Sequence, residues 1–258
     1  MADVARRIAI GVDVGGSGVK VGAVDVESGQ LVIPRRRVAT PQPSTPAAVV
    51  GVIAKLVERL GREAEAPGSP VGVGVPSVVI DGVTKTAANI DASWIGFDAG
   101  RALGAAVGRP VVVLNDADAA GIAEMRFGAG RGVRGTAFVL TLGTGLGSAL
   151  FNDGILVPNT ELGHMEIRGR DAERRSAAVA RIRRGLSWKA WAGDLDEHLN
   201  AIDRLFWPNL IILGGGVSKN ADRFLPYLTV RPPVVPAELR NDAGIVGAAM
   251  AAEETAST

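Results

Sequence analysis

At 258 residues the chain has room for one large domain or two modest ones, and 47% hydrophobic residues with only 4% aromatic describe a Val, Ala, Leu and Ile core rather than a disordered segment. Its 28 basic and 27 acidic residues nearly cancel, so no global field marks a nucleic-acid or membrane-surface protein. The lack of Cys excludes disulfides and thiolate metal sites; with no signal-like start and no apolar run of about 20 residues, the expected compartment is the cytoplasm.

The opening stretch RRIAIGVDVGGSGVKVGAVDVESGQLVIPRRRV alternates β-branched residues with Gly, Asp and Lys, which predicts three antiparallel strands. In TPQPSTPAAVVGVIAKLVERLGREA, Ser44 or Thr45 is placed to cap and Pro46 suits a first turn. Val49, Val50, Ile53, Leu56, Val57 and Leu60 then recur at helical spacing. VGVGVPSVVI reads as a buried strand interrupted at Pro76, and SWIGFDAGRALGAAVG as a short helix. RPVVVLNDADAAGIAEMRFG is next, as strand, turn and helix. GTAFVLTLGTGLGSALFNDGILV predicts a hairpin turning at Gly143, Thr144 and Gly145. Residues 171–206 read as helix broken near Gly185 and Gly193; NLIILGGGVSKNADRFLPYL is strand, Gly-rich turn and helix, and NDAGIVGAAMAAEE a closing helix. IGVDVGGSG and LTLGTGLG form a weak internal repeat, suggestive of duplicated halves.

Three Gly-rich turns come directly after strands, and Gly lets backbone N–H groups approach an anion without an intervening Cβ. In the first, Gly15, Gly16, Ser17 and Gly18 lie between Asp13, suited to a hydrated Mg²⁺, and Lys20, suited to offset phosphate charge. A plain hairpin with Gly bulges is the alternative. The second contains Thr141, Gly143, Thr144 and Gly145. The third, Gly214, Gly215 and Gly216, precedes a helix start that favours anions or a nucleotide. Together they favour phosphoryl transfer, whose acceptor hydroxyl needs a carboxylate to take its proton. Asp116, beside Asn115 at the end of an apolar strand, fits that need, with Asp118 helping to start the next helix; a helix cap is the competing reading of Asp116. In NTELGHMEI, Glu161 and His164 suit hydrogen bonding to vicinal sugar hydroxyls, with a capping box or a metal site as alternatives. Zinc is disfavoured because Cys is absent and His198 lies far along the chain. RGRDAERRSAAVARIRR carries seven Arg, read either as a polyanion track or as a solvated face.

Taken in order, GVDVGGSGVKVGAVD, TPQPSTP, TAANIDASWIG, VLNDADAAGIAE, LTLGTGLGSAL, PNTELGHMEI, ILGGGVSKNAD and NDAGIVGAAM resemble the ROK family of sugar kinases, and more closely its polyphosphate-using glucokinases. The resemblance covers nearly the whole chain. It implies an actin-like ATPase (ribonuclease H-like) α/β fold in which two α/β domains flank a cleft: a small one over residues 1–114, to which a helix at about 244–258 returns, and a large one over 115–243. It also implies phosphorylation of the 6-hydroxyl of glucose, with mannose a further candidate acceptor, using polyphosphate or ATP with Mg²⁺. Asp116 becomes the general base, and Asn89, Asn115, Glu161 and His164 hold the sugar. Gly15 to Gly18 and Gly143 to Gly145 face the phosphates, and Gly214 to Gly216 lie beside a nucleotide. A homodimer is the expected assembly. One departure matters: where many members carry a Cys-rich zinc motif ending in a sugar-binding Glu, this chain reads MEIRGRDAERRSAAV, so Glu173 is the first choice for that ligand and Glu166 the second.

A strictly ATP-dependent glucokinase is the near alternative. A sugar-responsive repressor needs an N-terminal helix-turn-helix, and only about a dozen residues precede Asp13. A catalytically silent actin-like protein has no need of Asp116 beside an ELGH turn.

Overall fold

The computed structural model describes residues 6–256. Its chain divides into two compact units, Met1–Ala123 with Asp242–Thr258, and Glu124–Asn241. Residues 115–123 thus fall in the first unit, whereas the sequence boundary sets them in the second domain; residues 1–5 and 257–258 of the expected first domain lie outside the described residues.

The first unit opens with β1 (Ile8–Gly15), β2 (Gly18–Asp25) and β3 (Gln30–Leu31) as an antiparallel meander, and β4 (Arg36–Val38) returns to β2. Helix α1 (Pro46–Glu63) buries Val49, Val50, Ile53, Val57 and Leu60, the face its spacing predicts. The expected hydroxyl cap is not made. Thr45 occupies the cap position without a side-chain bond, while Ser44 Oγ accepts from the Asp91 N–H at 3.0 Å and its carbonyl from Trp94 Nε1–H at 2.8 Å. Ser44 therefore secures the loop leading to the fully buried Trp94.

Strand β5 (Val71–Val75) runs parallel to β1 and ends at Pro76, and the small hairpin of β6 (Val79–Ile80) and β7 (Val83–Thr84) comes next. Helix α2 (Ala99–Val107), capped by the Asp98 carboxylate, leads to β8 (Val111–Asn115), parallel to β5. The sheet order is β3-β2-β1-β5-β8. No turn separates β8 from α3 (Asp116–Phe127): the helix starts at the next residue. Its cap is Asn115, whose Oδ1 accepts from the N–H groups of Ala117 at 2.8 Å and Asp118 at 3.1 Å. Asp118 is a buried acidic residue of that first turn, and the cap that Asp116 was weighed for is made by Asn115.

In the second unit, β9 (Thr136–Leu142), β10 (Leu146–Asn152) and β11 (Ile155–Val157) form another antiparallel meander. The two-residue strands β12 (Glu166–Ile167) and β13 (Arg170–Asp171) pair with each other, and the chain continues through α4 (Glu173–Ser176), α5 (Ala178–Arg183) and α6 (Trp188–Phe206). The predicted break at Gly185 occurs, with φ +59°, but the one at Gly193 does not. Helix α6 passes through Gly193 because Trp191, Leu195, His198, Leu199 and Ile202 form one continuous buried face. Strand β14 (Leu210–Gly214) lies parallel to β9, and β15 (Val234–Pro236) parallel to β14, giving the order β11-β10-β9-β14-β15. After β14 the chain forms a 3-10 segment, Gly216–Arg223, kinked at Asn220, and not the predicted α-helix.

The closing helix α7 (Ala243–Ala256) belongs to the first unit. A Cβ on Gly11 or Gly72 would stand 1.8 Å from the carbonyl oxygen of Ile245 or Ala248, and one on Gly247 would stand 1.6 Å from that of Ala119. Bare backbone at these positions lets α7 rest directly on β1, β5 and α3. Glu124, fully buried near the end of α3, accepts from the N–H groups of Ala129, Glu238 and Leu239 at 3.1, 3.1 and 2.8 Å. These three donors compensate a carboxylate that has left water.

Candidate active site

The first unit gathers its predicted residues at the β1–β2 turn and the end of β8. Gly15 pairs with Gly18 across the turn, and three carbonyls of the loop are claimed from one segment. Thr40 Oγ1 donates to Gly15 O at 2.5 Å, Gln42 Nε2 to Gly16 O at 3.4 Å and Arg37 Nη2 to Ser17 O at 3.1 Å. Tying the carbonyls back leaves the Gly16 and Ser17 N–H groups without a protein acceptor among the described residues, the arrangement of an anion nest. Thr40 and Gln42 belong to the TPQP stretch, so that motif acts as a brace for the turn. Asn89, with φ +61°, presses its carbonyl against Gly16, where a Cβ would come within 2.7 Å.

Asp13 and Lys20 face each other across β1 and β2, with Nζ donating to Oδ2 at 2.6 Å. The Asp13 carboxyl also lies against Gly244 at the start of α7, where the helix dipole favours negative charge. Its Oδ1 has no protein partner among the described residues. A Mg²⁺ that keeps most of its waters and rides on donor phosphates needs only one or two carboxylates, and this donor set fits such an ion.

Asn115 is buried and its amide is largely committed: Oδ1 caps α3 and Nδ2 donates to Ser77 O at 3.2 Å. One Nδ2 hydrogen remains for a ligand. The same bonds fix Asp116 as the first residue of α3 at the carboxyl end of a parallel strand, the position from which a carboxylate reaches substrate in layered α/β proteins.

The second unit brings together Glu161, His164, Glu173 and the second and third Gly turns. Glu173 Oε2 accepts from the Leu146 N–H at 2.9 Å, and a Cβ on Gly145 or Gly163 would stand 2.6 or 3.3 Å from that oxygen. Glu173 therefore lies between the LGTG turn and the ELGH turn, whereas Glu166 is exposed on β12. Burial raises the Glu161 carboxyl above its ordinary value, His164 lowers it and Glu173 raises it. Electrostatically, then, Glu161 and Glu173 share one neighbourhood. Glu161 makes no capping bond, so the ELGH stretch is not a capping box. The His164 ring sits between Asp171, with Nδ1 at 3.2 Å, and Glu161, with Nε2 at 3.8 Å.

Thr141 precedes the second turn and pairs with Gly214 of β14, so the second and third turns are neighbours at the ends of parallel strands. Gly143 O accepts from the Val179 N–H at 3.1 Å, and Gly215, φ +82°, approaches the Leu142 carbonyl so closely that a Cβ would stand 2.2 Å from it. Thr144 lies exposed at the tip.

Three supporting residues escape a local reading of the sequence. Leu162 of the ELGH turn is gripped at both ends: its N–H donates to Ser148 Oγ at 3.0 Å and its carbonyl faces His198 Nε2 at 3.0 Å. His198 Nδ1 in turn faces Ser176 Oγ at 2.9 Å. Burial lowers the His198 pKa, opposed by the Leu162 bond and by Glu173, which favours a neutral ring donating from Nε2 and accepting from Ser176. A signal existed: His198 comes after Trp191 and Leu195 at helical spacing, and a polar ring on an apolar face requires partners.

The ROK family model matches residues 9–180. The polyphosphate glucokinase of Mycobacterium tuberculosis (strain H37Rv) is 49% identical over 247 residues, spanning 95% of this chain and 91% of that protein. Among solved structures, the inorganic polyphosphate/ATP-glucomannokinase from Arthrobacter sp. strain KM is 53% identical with a TM-score of 0.92, over 96% of this chain and 99% of that one. A ROK family glucokinase from Streptomyces griseus in complex with glucose and AMPPNP is 27% identical with a TM-score of 0.79, over 96% and 99%. With motifs, strand order and identity running the length of the chain, this protein belongs to the ROK family and has its actin-like ATPase fold.

Proposed function

We propose that the chain transfers a phosphoryl group from inorganic polyphosphate to the 6-hydroxyl of glucose, with ATP as a second donor and mannose as a second acceptor. The observation that carries the proposal is Asp116 held at the mouth of β8 by the Asn115 cap, in a chain 49% identical to a polyphosphate glucokinase over nearly its full length. Asp116 accepts the hydroxyl proton as the oxygen attacks phosphorus, and the bond to the leaving phosphate breaks in line. The Gly16 and Ser17 amides and Lys20 offset charge on the donor in the first unit, and the Thr141–Gly145 turn does so in the second. Asn89 and Asn115 contribute polar groups to the sugar, as do Glu161, His164 and Glu173; Gly214 to Gly216 flank a nucleotide when ATP is the donor. Mg²⁺, held by Asp13 and the donor, supplies further charge neutralisation when bound.

Incubating the purified protein with glucose, Mg²⁺ and either donor, and detecting glucose 6-phosphate through its dehydrogenase, tests the reading. Product from both donors is expected. Product from ATP alone leaves a strictly ATP-dependent glucokinase. We assign the protein to the cytoplasm and to a homodimer. Among the described residues no helix is long and apolar enough to cross a membrane. Ile155 and Val157 of β11, and Leu205 and Trp207 at the end of α6, are exposed apolar side chains that a second copy would cover. Light scattering on the eluted protein checks the mass.

A further inference from the structure

We propose that Arg181 and Arg223, stacked on Trp188, form an anchoring subsite for the distal part of a condensed-phosphate chain. The inference rests on the polyphosphate reading above and deepens it. In the Arg-rich segment, Arg168 donates to Glu197 at 2.7 Å, Arg175 bridges Asp194 and Glu197, and Arg184 pairs with Asp194 at 2.5 Å. These three stitch the segment to α6 and are spent on carboxylates. Arg170, Arg174, Arg181 and Arg183 of the segment, and Arg223 beyond it, have no acidic partner among the described residues, and of these Arg181 and Arg223 meet on one aromatic ring.

Both guanidiniums converge on one indole. Arg181 Cζ lies 4.0 Å from the Trp188 ring centroid and Arg223 Cζ 5.3 Å from it. Trp188 is itself backed by Phe224, stacked at 6.0 Å and 18°, and by Trp191 at 6.0 Å and 76°. Phe224 and Trp191 are fully buried, so the platform is anchored in the core. A guanidinium lying on an aromatic face keeps its in-plane N–H groups directed outward, ready for the forked contact that phosphate oxygens accept. Arg181 commits Nη1 to Leu186 O at a long 3.3 Å. Two cations gathered at one ring repel each other, and a bound polyanion would relieve that repulsion.

The location suits a long donor. Helix α5 is tied to the second Gly turn by the Val179 bond to Gly143 and carries Arg181 near its far end, while the 3-10 segment runs from Gly216 of the third turn to Arg223. Both cations thus sit at the far ends of short helical segments that start at the proposed phosphate turns. Lys189, whose Nζ is 5.8 Å from the Tyr227 ring centroid, adds charge beside Trp188. An adenine is a poor occupant, because Arg181 and Phe224 already stack on the indole.

The test compares donors of different length on the double variants Arg181→Gln with Arg223→Gln and Arg181→Lys with Arg223→Lys. Initial rates are taken at saturating glucose and low salt with tripolyphosphate, long-chain polyphosphate and ATP. For the Gln pair, KM for the long chain should rise about tenfold, with kcat within about twofold and the tripolyphosphate and ATP constants unchanged. The Lys pair should fall between, retaining charge but losing the fork. An unchanged long-chain KM overturns the subsite, as does an equal shift for all three donors, which would mean that the Gly turns had been disturbed. Failure of the wild type to use any polyphosphate overturns the donor assignment itself; use of polyphosphate by the wild type with an indifferent Gln pair removes the subsite alone.

Discussion

The hairpin β1–β2 sets Asp13 across from Lys20, while the hairpin β9–β10, two residues before its own Gly turn, sets Thr141 across from Gly147. Each hairpin continues into a parallel neighbour on the same side, β5 beside β1 and β14 beside β9. One supersecondary plan thus occurs twice with different chemistry. In the first unit the strands themselves carry the charge. In the second the hairpin is uncharged, and a carboxylate reaches it from α4, where Glu173 accepts from Leu146. On the proposed reading, the first unit supplies the base and the charged side chains nearest the transferred phosphoryl group, while the second adds its carboxylates to the sugar and backbone turns to the donor.

The sharpest way to break this division is at Asp116. Asp116→Asn should lower kcat by about 10³–10⁴-fold while glucose binding, measured by calorimetry, stays within about threefold. Retained turnover would end its role as base. Next in size, Lys20→Met should reduce kcat/KM for either donor about 100-fold with the glucose KM unchanged. A matching loss of glucose affinity would undo the assignment of donor charge to the first hairpin.

In the second unit, Glu173→Gln should raise the glucose KM about tenfold and leave kcat nearly intact. It also makes a pH prediction. Glucose affinity that depends on ionised Glu161 weakens as pH falls through its raised pKa, and removing the Glu173 charge should move that inflection to lower pH. An unmoved inflection would separate the two carboxylates.

The smallest effect is expected at His198. A His198→Gln variant should raise the glucose KM only a few-fold. Because burial holds the His198 pKa below the ordinary 6.5, the neutral ring's contribution to stability is full above that pH and falls away as pH drops toward the folded-state value. Thermal melts of the variant should lose this part of the acid sensitivity; identical wild-type and variant profiles would assign it elsewhere.

Local periodicity carried much of this design. The strands around each Gly turn, the buried face of α1 and the placing of Asp116 at a strand end are all consequences of residue spacing. The features that escaped depend on competition among neighbouring groups or on partners distant in sequence. Asn115, rather than Asp116, caps α3 because its side chain reaches two N–H groups at once, and Ser44 was drawn from its expected cap by Asp91 and Trp94. Gly193 did not break α6 because a continuous apolar face outweighs the roughly 1 kcal/mol cost of one Gly. Glu124 and His198 gave no local sign of the distant backbone groups they bind, at Leu239 and Leu162.

The glycine contacts of α7 bear on how the chain is made. The helix that covers β1 and β5 is synthesised after the whole of the second unit, so the first unit cannot complete its core until α7 has emerged. The second unit is contiguous and finishes earlier. At about 5–20 residues per second, the first sheet waits on the order of 10 s with the α7 side of Gly11 and Gly72 uncovered. The half that leaves the ribosome first is therefore the half that folds last, and this nascent interval is when a chaperone has most to protect.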